Sequence, residues 1–414
     1  MKKLIKIIFS ILVIAILSSN MNIYADDDNE AIEENILKET EKYEIEETTN
    51  AKTKPTINSR RYIVYDRKSG RCVYGKDENK QSAMASTTKI MSSLIVIENC
   101  NLKDTVTITE KSAIVGGSKL GLKTDDKITV NDLLYGLMLR SGNDAAVALA
   151  IHTSGSVEEF AKLMNKKAKE IGLTNTNFVT PHGLDDPNHY TTAYELAKLT
   201  DYALKNETIA KIVDTKEIGI TINDRTVNIS NTNELLGSIE GVYGVKTGFT
   251  NNAGRCLVTS VKRGNMDLII VVLGADTRKD RAKDTIKLIE YANKKYQSIN
   301  IEEIAKKEFE MWKQINQDRI YIYKGMSNVE LELEEIKIKE AVLESDPKVE
   351  IDAVTYLEAP IEKGSRIGTL TIKTDKEIIE EIEIKLANKV NKRGILEYLN
   401  IIAKIYSGRI KIFA

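Results

Sequence analysis

Ser86-Thr87-Thr88-Lys89 sets a hydroxyl and an amine three residues apart, and the reading of the chain starts there. If a helix begins at about Ser86, the two side chains share one face and come within reach of each other. The amine then takes the serine proton and leaves a nucleophile. An ordinary lysine is protonated at neutral pH, so such a site has to strip water from Lys89 or set positive charge beside it. Outward along the chain, Ser141-Gly142-Asn143 and Lys246-Thr247-Gly248 follow in that order. Singly these strings carry little, because Ser345-Asp346-Pro347-Lys348 repeats the first spacing and Ser298-Ile299-Asn300 the second. Pro347 breaks the helical geometry that Ser345 would need. Lys-Thr-Gly occurs once.

Ser141-Gly142-Asn143 falls where one predicted helix ends and the next begins. A hydroxyl and an amide on such a turn face a cleft, Ser141 relaying a proton towards a leaving amine and Asn143 holding substrate backbone or the base. By itself the triplet is equally a helix cap with glycine at C′. Lys246-Thr247-Gly248 ends a predicted strand, Val242-Tyr243-Gly244-Val245. Gly248 lets substrate backbone approach the strand edge, Thr247 hydrogen-bonds a carboxylate, and Lys246 adds positive potential there and beside Lys89. By itself this triplet is also a strand running into a turn.

Lys2, Lys3 and Lys6 precede an apolar run from Ile7 to Leu17, and Ile23-Tyr24-Ala25 precedes Asp26. Residues 1–25 therefore read as a secretory signal peptide cleaved after Ala25, the run being shorter than the ~20 apolar residues of a spanning helix. Residues 26–50 hold eleven acids against two lysines, which makes 26–55 a disordered acidic spacer. The whole chain carries −1, and basic charge gathers from Lys385 onward. That terminal charge is membrane-like and lacks the aromatic interleaving of a nucleic-acid binder, so no nucleic acid is expected as a partner. Cys72, Cys100 and Cys256 form no C-x-x-C pair and read as buried small hydrophobes. His152, His182 and His189 lack ligand spacing, so no metal and no cofactor are expected.

Residues 56–300 mix strand and helix patterns. Tyr62–Tyr65 and Arg71–Tyr74 flank Lys68-Ser69-Gly70 as a hairpin, and Thr129 caps a helix whose Leu133, Leu134, Leu137 and Met138 recur at helical spacing. Helices are predicted at 143–153, 157–171, 192–204 and 279–297, and strands at 216–230, 241–247, 254–262 and 267–275. The fold class is α+β, an antiparallel sheet covered by helices. From 301 to 387 the period becomes two, as at Leu331 and Leu333, Ile336 and Ile338, and Ile382, Ile384 and Leu386, which predicts a small all-β domain. In 388–414, Ile395, Tyr398, Leu399, Ile402, Ile405 and Tyr406 face one side of a helix, while Lys392, Arg393, Glu397, Asn400 and Lys404 lie largely on the other. This is an amphipathic, membrane-associating tail.

Ala85-Ser86-Thr87-Thr88-Lys89, Ser141-Gly142-Asn143-Asp144-Ala145, Pro181-His182-Gly183-Leu184 and Lys246-Thr247-Gly248-Phe249-Thr250, with Ala253-Gly254 following, together resemble a known family. It is the D-alanyl-D-alanine carboxypeptidases of peptidase family S11, the low-molecular-mass penicillin-binding proteins, and the resemblance runs over roughly residues 55–410. It implies a serine β-lactamase/DD-peptidase-like catalytic domain, a β-rich C-terminal domain and a terminal anchor. By this resemblance Ser86 is the acylated nucleophile, Lys89 the proton acceptor and Ser141 the proton relay, with Asn143 beside them. Lys246, Thr247 and Gly248 bind substrate, and the backbone N–H groups of Ser86 and Phe249 form the oxyanion hole. Some members carry histidine at the Phe249 position. Arg281 falls where the family places an arginine near the substrate carboxylate, and Arg278, one turn away, is the alternative.

The activity implied is removal of the terminal D-alanine from peptidoglycan stem pentapeptides ending in D-Ala-D-Ala. β-Lactam antibiotics would be covalent ligands, and the enzyme would be exported and peripherally attached to the outer face of the cytoplasmic membrane. Two alternatives stand beside this: a class A-like β-lactamase and a non-catalytic penicillin-binding sensor. The first usually reads S-D-N, where this chain has Gly142, and no E-x-x-x-N string lies soon after Asn143.

Overall fold

The predicted hairpin forms, with β1 (Arg61–Asp66) paired antiparallel to β2 (Arg71–Lys76). The computed structural model describes residues 54–316, 319–326 and 329–407, so the expected signal peptide and nearly all of the expected acidic spacer lie outside the described residues. The chain divides into two units, up to Lys295 and from Tyr296 onward.

In the first unit a 3-10 turn (Ala85–Thr88) leads into α1 (Lys89–Asn99), followed by β3 (Thr105–Thr107), α2 (Glu110–Ile114), β4 (Lys127–Thr129), α3 (Val130–Leu139), α4 (Asn143–Ser154), α5 (Val157–Glu170), α6 (Ala193–Leu204) and α7 (Glu207–Val213). Then come β5 (Glu217–Ile222), β6 (Arg225–Ser230), β7 (Lys246–Thr250), β8 (Gly254–Arg263), β9 (Met266–Ala275) and α8 (Arg278–Lys295). The main sheet is antiparallel throughout, in the order β2-β1-β9-β8-β7, and β3-β4-β5-β6 form a second sheet. Positions of both parities are buried along β9 because α6 and α8 both pack on it. Thr129 caps α3 by accepting from the Asp132 N–H, and Leu133, Leu134, Leu137 and Met138 are buried as the spacing predicts. Every residue of α4 from Asn143 to Ala150 is buried, so this helix is the spine of the helical part.

Of the strand expected at 241–247, the regular part, β7, begins at Lys246 instead of ending there, but the preceding residues also lie along β8: the Gly241 carbonyl accepts from the Lys262 N–H at 2.9 Å, and the Tyr243 and Val245 N–H groups donate to the Ser260 and Val258 carbonyls at 3.0 Å. Gly241 itself has φ +79°, and a Cβ there would lie 2.2 Å from the Lys262 carbonyl oxygen. Among the cysteines Cys256 is buried, whereas Cys72 and Cys100 are half-buried against the core.

The second unit opens with β10 (Gln297–Asn300) and α9 (Ile301–Asn316), a helix the period-two reading of 301–387 passed over. Its buried residues, Ile301, Ala305 and Phe309, are spaced by four. The β elements follow: β11 (Tyr321–Tyr323), β12 (Leu331–Leu333), β13 (Glu340–Leu343), β14 (Lys348–Ala353), β15 (Tyr356–Glu358), β16 (Arg366–Lys373) and β17 (Ile378–Leu386). A four-stranded sheet runs β12-β17-β16-β14, and β11 pairs parallel with β15. Leu331, Ile382, Ile384 and Leu386 face the core as predicted. Ile336 and Ile338 form no strand, because the Glu380 carboxylate takes the N–H groups of Lys337 and Ile338. The tail forms α10 (Ile395–Tyr406), none of whose residues is buried.

Asp284 on α8 anchors the incoming chain, its Oδ2 accepting from the N–H groups of Asn58 and Ser59 at 3.0 and 2.7 Å and from the Ser59 hydroxyl at 2.5 Å. Asp284→Ala is expected to lower unfolding stability by about 2–4 kcal/mol in urea titration, since these donors lose a charged acceptor. An unchanged midpoint would show that the anchor is dispensable.

Candidate active site

Ala85 enters the 3-10 turn with φ +47°, a left-handed conformation that side-chain-bearing residues rarely adopt. Ser86 follows at 4% exposure, and Lys89 at the start of α1 is fully buried. Lys89 Nζ lies 2.7 Å from Ser86 Oγ, 2.8 Å from Asn143 Oδ1 and 2.9 Å from the His182 carbonyl oxygen. These three oxygens are uncharged and come from three separate segments. A neutral amine has two hydrogens and one lone pair. With both hydrogens donated to Asn143 and His182, the lone pair is left for the Ser86 hydroxyl. Burial away from water works against the charged form of an amine, as that role requires.

Asn143 is held on both sides. Its Nδ2 donates to the Gly116 carbonyl and its backbone N–H to the Ser118 carbonyl, each at 2.8 Å. Next to it, the Asp144 carboxylate accepts from the N–H groups of Leu120, Gly121 and Leu122 at 2.8–3.0 Å, which clamps the 116–122 segment over the turn. Gly117 is required there, because a Cβ would sit 2.3 Å from Asn143 Nδ2. Ser141, and not Gly142, takes the left-handed conformation, at φ +59°. Its Oγ is buried and has no hydrogen-bond partner among the described residues. A buried hydroxyl in that state calls for an explanation, and a bound substrate group would supply the missing partner.

On β7, Lys246 is buried and its Nζ donates to the Thr247 carbonyl at 2.9 Å. Thr247 Oγ1 lies 2.7 Å from Thr232 Oγ1. Gly248 runs against Ser86: a Cβ there would stand 2.9 Å from the Ser86 nitrogen. The Phe249 ring is half-buried and covered by the Arg255 guanidinium, 3.8 Å from its centroid. Thr250 donates to Asp185 at 2.6 Å and so ties the 181–185 loop to β7.

Two histidines to which the sequence assigned no role support this centre. His189 Nδ1 accepts from the Val179 N–H at 2.9 Å, so Nε2 carries the proton and donates to Thr88 Oγ1 at 2.7 Å. Thr88 in turn donates to the Ala85 carbonyl at 2.8 Å. Burial pulls His189 down to about 4 against the opposing pull of Asp186, and burial pulls His182 down to about 3. Pro181-His182-Gly183-Leu184 was a visible string, but what it gives Lys89 is a main-chain carbonyl, which no side-chain motif announces. Gly183 lets the loop close on the turn, since a Cβ would meet the Ala85 oxygen at 1.9 Å.

Arg281 is paired with a carboxylate of the protein itself. It is fully buried on α8, and its Nη2 donates to both oxygens of Glu234 at 2.8 Å. Arg278 is half-buried at the start of the same helix. Among the described residues no three His, Cys, Asp or Glu side chains gather as a metal site.

Residues 47–277 match the family model of the D-alanyl-D-alanine carboxypeptidases of peptidase family S11. The chain belongs to that family. Residues 323–392 match the C-terminal domain of penicillin-binding protein 5. D-alanyl-D-alanine carboxypeptidase DacF of Bacillus subtilis is 37% identical, the match covering 81% of this chain and 87% of that protein. DacC of Escherichia coli is 32% identical, with 82% and 86% covered. Among solved structures, penicillin binding protein 5 of Haemophilus influenzae superposes with a TM-score of 0.66 at 31% identity, covering 82% of this chain and 99% of that one. The DD-transpeptidase of Streptomyces K15 gives 0.55 at 36% identity over 58% of this chain and 98% of its own. These relatives favour a carboxypeptidase over a β-lactamase or a sensor protein.

Both histidines are neutral in the folded carboxypeptidase well below their ordinary value of 6.5. As pH falls through 6.5 the unfolded chain takes up protons first, so stability is complete above that value and declines down to the folded values of about 4 and 3. For His189 the full loss is on the order of 3 kcal/mol. Thermal midpoints between pH 7 and pH 4 should fall less steeply in His189→Gln than in the parent, and parallel curves would show that His189 is not part of the acid response.

Proposed function

We propose that this chain is a serine-type D-Ala-D-Ala carboxypeptidase that removes the terminal D-alanine from peptidoglycan stem pentapeptides through an acyl-enzyme. The observation that carries the reading is the Lys89 amine, with two fixed neutral acceptors and its third direction on Ser86 Oγ. Lys89 takes the Ser86 proton as Oγ attacks the carbonyl of the penultimate D-alanine. The backbone N–H groups of Ser86 and Phe249 hold the oxyanion, a contribution of roughly 3 kcal/mol per donor in comparable sites. Ser141, whose hydroxyl lacks a partner among the described residues, passes a proton to the departing amine. Water then releases the shortened peptide. A β-lactam acylates the same oxygen, because its strained amide presents the same carbonyl chemistry.

Lys246, Thr247 and Gly248 receive the terminal carboxylate along β7, with Arg281 adding positive potential that Glu234 partly offsets. Residues 1–25 direct export. The tail attaches the enzyme to the outer face of the cytoplasmic membrane, which the exposure of Ile395, Leu396, Leu399 and Ile402 on α10 supports. No helix among the described residues is long and apolar enough to cross a membrane.

Ser86→Ala is expected to abolish both D-alanine release from a diacyl-Lys-D-Ala-D-Ala peptide and covalent labelling by a fluorescent penicillin. Lys89→Ala should slow acylation by several orders of magnitude. Labelling of the Ser86→Ala protein at a defined site would remove this serine from the mechanism.

Loss of a carboxylate contact at Lys246 or Thr247 should cost about 2–3 kcal/mol in kcat/KM for the acid substrate and far less for its C-terminal amide. Arg281→Ala should show the same preference in weaker form. If it treats acid and amide as the parent does, the arginine serves its pair with Glu234 alone, and Arg278 becomes the better candidate for the carboxylate.

A further inference from the structure

We propose that the second unit carries a membrane-contact patch of its own, formed by Tyr321, Tyr323, Tyr356 and Met326, which seats in an anionic headgroup layer beside α10. The proposal rests on the reading of α10 as a membrane-associating helix. Among the described residues, exposed large apolar side chains are unevenly shared between the units: three in the first, Ile114, Tyr202 and Val227, against fourteen in the second. Six of the fourteen are on α10. Tyr321, Tyr323, Tyr356 and Met326 are 58, 39, 57 and 47% exposed, with Val354 at 51% next to them in sequence.

The tyrosines form a comb across the parallel pair β11 and β15, in which Tyr321 lies opposite Tyr356. Tyr356 stacks on Tyr321 and Tyr323 at centroid distances of 5.8 and 6.3 Å, and Lys324 Nζ stands 4.3 Å from the Tyr323 centroid. Each ring thus has a neighbouring ring or an ammonium group against part of its surface. An amphipathic ring with one apolar and one wet end suits the boundary between acyl chains and headgroups.

Position selects the same partner. Gly325 forms a β-bridge with Lys392, the Met326 N–H donates to the Asn391 carbonyl at 2.9 Å, and the Arg393 N–H donates to the Lys324 carbonyl at 2.7 Å. The comb is therefore stitched to the segment from which α10 starts two residues later. Lys392 and Arg393 bring positive charge to that edge, and the nearby Glu358 is neutralised by Lys324 at 3.1 Å. Interfacial binding strength scales with buried apolar area and attraction to anionic lipid, so a second apolar patch beside α10 adds to its attachment.

The test uses the full chain and vesicles of phosphatidylglycerol and phosphatidylcholine in equal parts. Replacing Tyr321, Tyr323 and Tyr356 together by Ser should weaken co-sedimentation about tenfold while leaving turnover of a soluble peptide unchanged. Vesicle binding equal to the parent's overturns the patch, and so does tyrosine-dependent retention on peptide-free glycan strands with vesicle binding intact. Should the triple variant fail to fold, nitration of the unsubstituted chain by tetranitromethane decides. Vesicles should lower modification severalfold at Tyr321, Tyr323 and Tyr356 and leave Tyr202 as it was. Unchanged nitration at the three tyrosines overturns the patch, whereas unchanged nitration at Tyr398 and Tyr406 overturns the reading of α10.

Discussion

The Lys89 amine sits inside the protein with its three directions fixed by a hydroxyl, a side-chain amide and a main-chain carbonyl. Much of the first unit can be understood as the apparatus that keeps these oxygens in place. A buried N–H without its acceptor costs about 1–3 kcal/mol, and here it would also misdirect the lone pair that serves Ser86. Each acceptor therefore has its own brace. The His189 ring ties the 3-10 turn, through Thr88, to the chain just before His182. Asp185 and Thr250 tie the His182 loop to β7. Asn143 is set by Gly116 and Ser118, and it opens a helix whose first eight residues are all buried.

These braces also sustain backbone that would not hold by itself. Ala85 and Ser141, each with φ in the left-handed region, cost on the order of 1–3 kcal/mol apiece. The returns are the tight turn that presents Ser86 and the turn that enters α4. Around them the chain approaches itself at glycine, Gly183 against Ala85 and Gly248 against the Ser86 nitrogen, where a methyl group would collide with backbone. Glycine in Lys246-Thr247-Gly248 is thus needed by the nucleophile's neighbourhood as much as by any substrate.

Features that depend on local chemistry were readable in the sequence. The hairpin at Lys68-Ser69-Gly70, the Thr129 cap and the buried face of α3 each follow from residues within one or two turns of each other. The Ser86–Lys89 contact follows from helical spacing, and the meeting of Lys89 with Asn143 was left as one of two roles for that amide. Most of what escaped had no local signature. His182 acts through its carbonyl, and His189 acts on a threonine 101 residues away. The α9 stripe of Ile301, Ala305 and Phe309 is the exception, a helical spacing of four at the head of a region whose later strands alternate. Ile336 and Ile338 alternate as a strand should, yet a distant glutamate claims the N–H groups of Lys337 and Ile338. Arg281 keeps the sequence position of a substrate ligand but has a buried carboxylate for company.

The Asp144 clamp separates two things that active sites often entangle. It holds Leu120, Gly121 and Leu122 by their main-chain N–H groups, which every residue except proline possesses. Lys119 and Ile114, exposed on and just before that segment, take no part in the grip. Their identities can drift without loosening Asn143 or the amine behind it. The exposed side chains of this segment are in this sense a writable surface over a fixed frame, open to substitution while the contacts of Asn143 and Lys89 stay as they are.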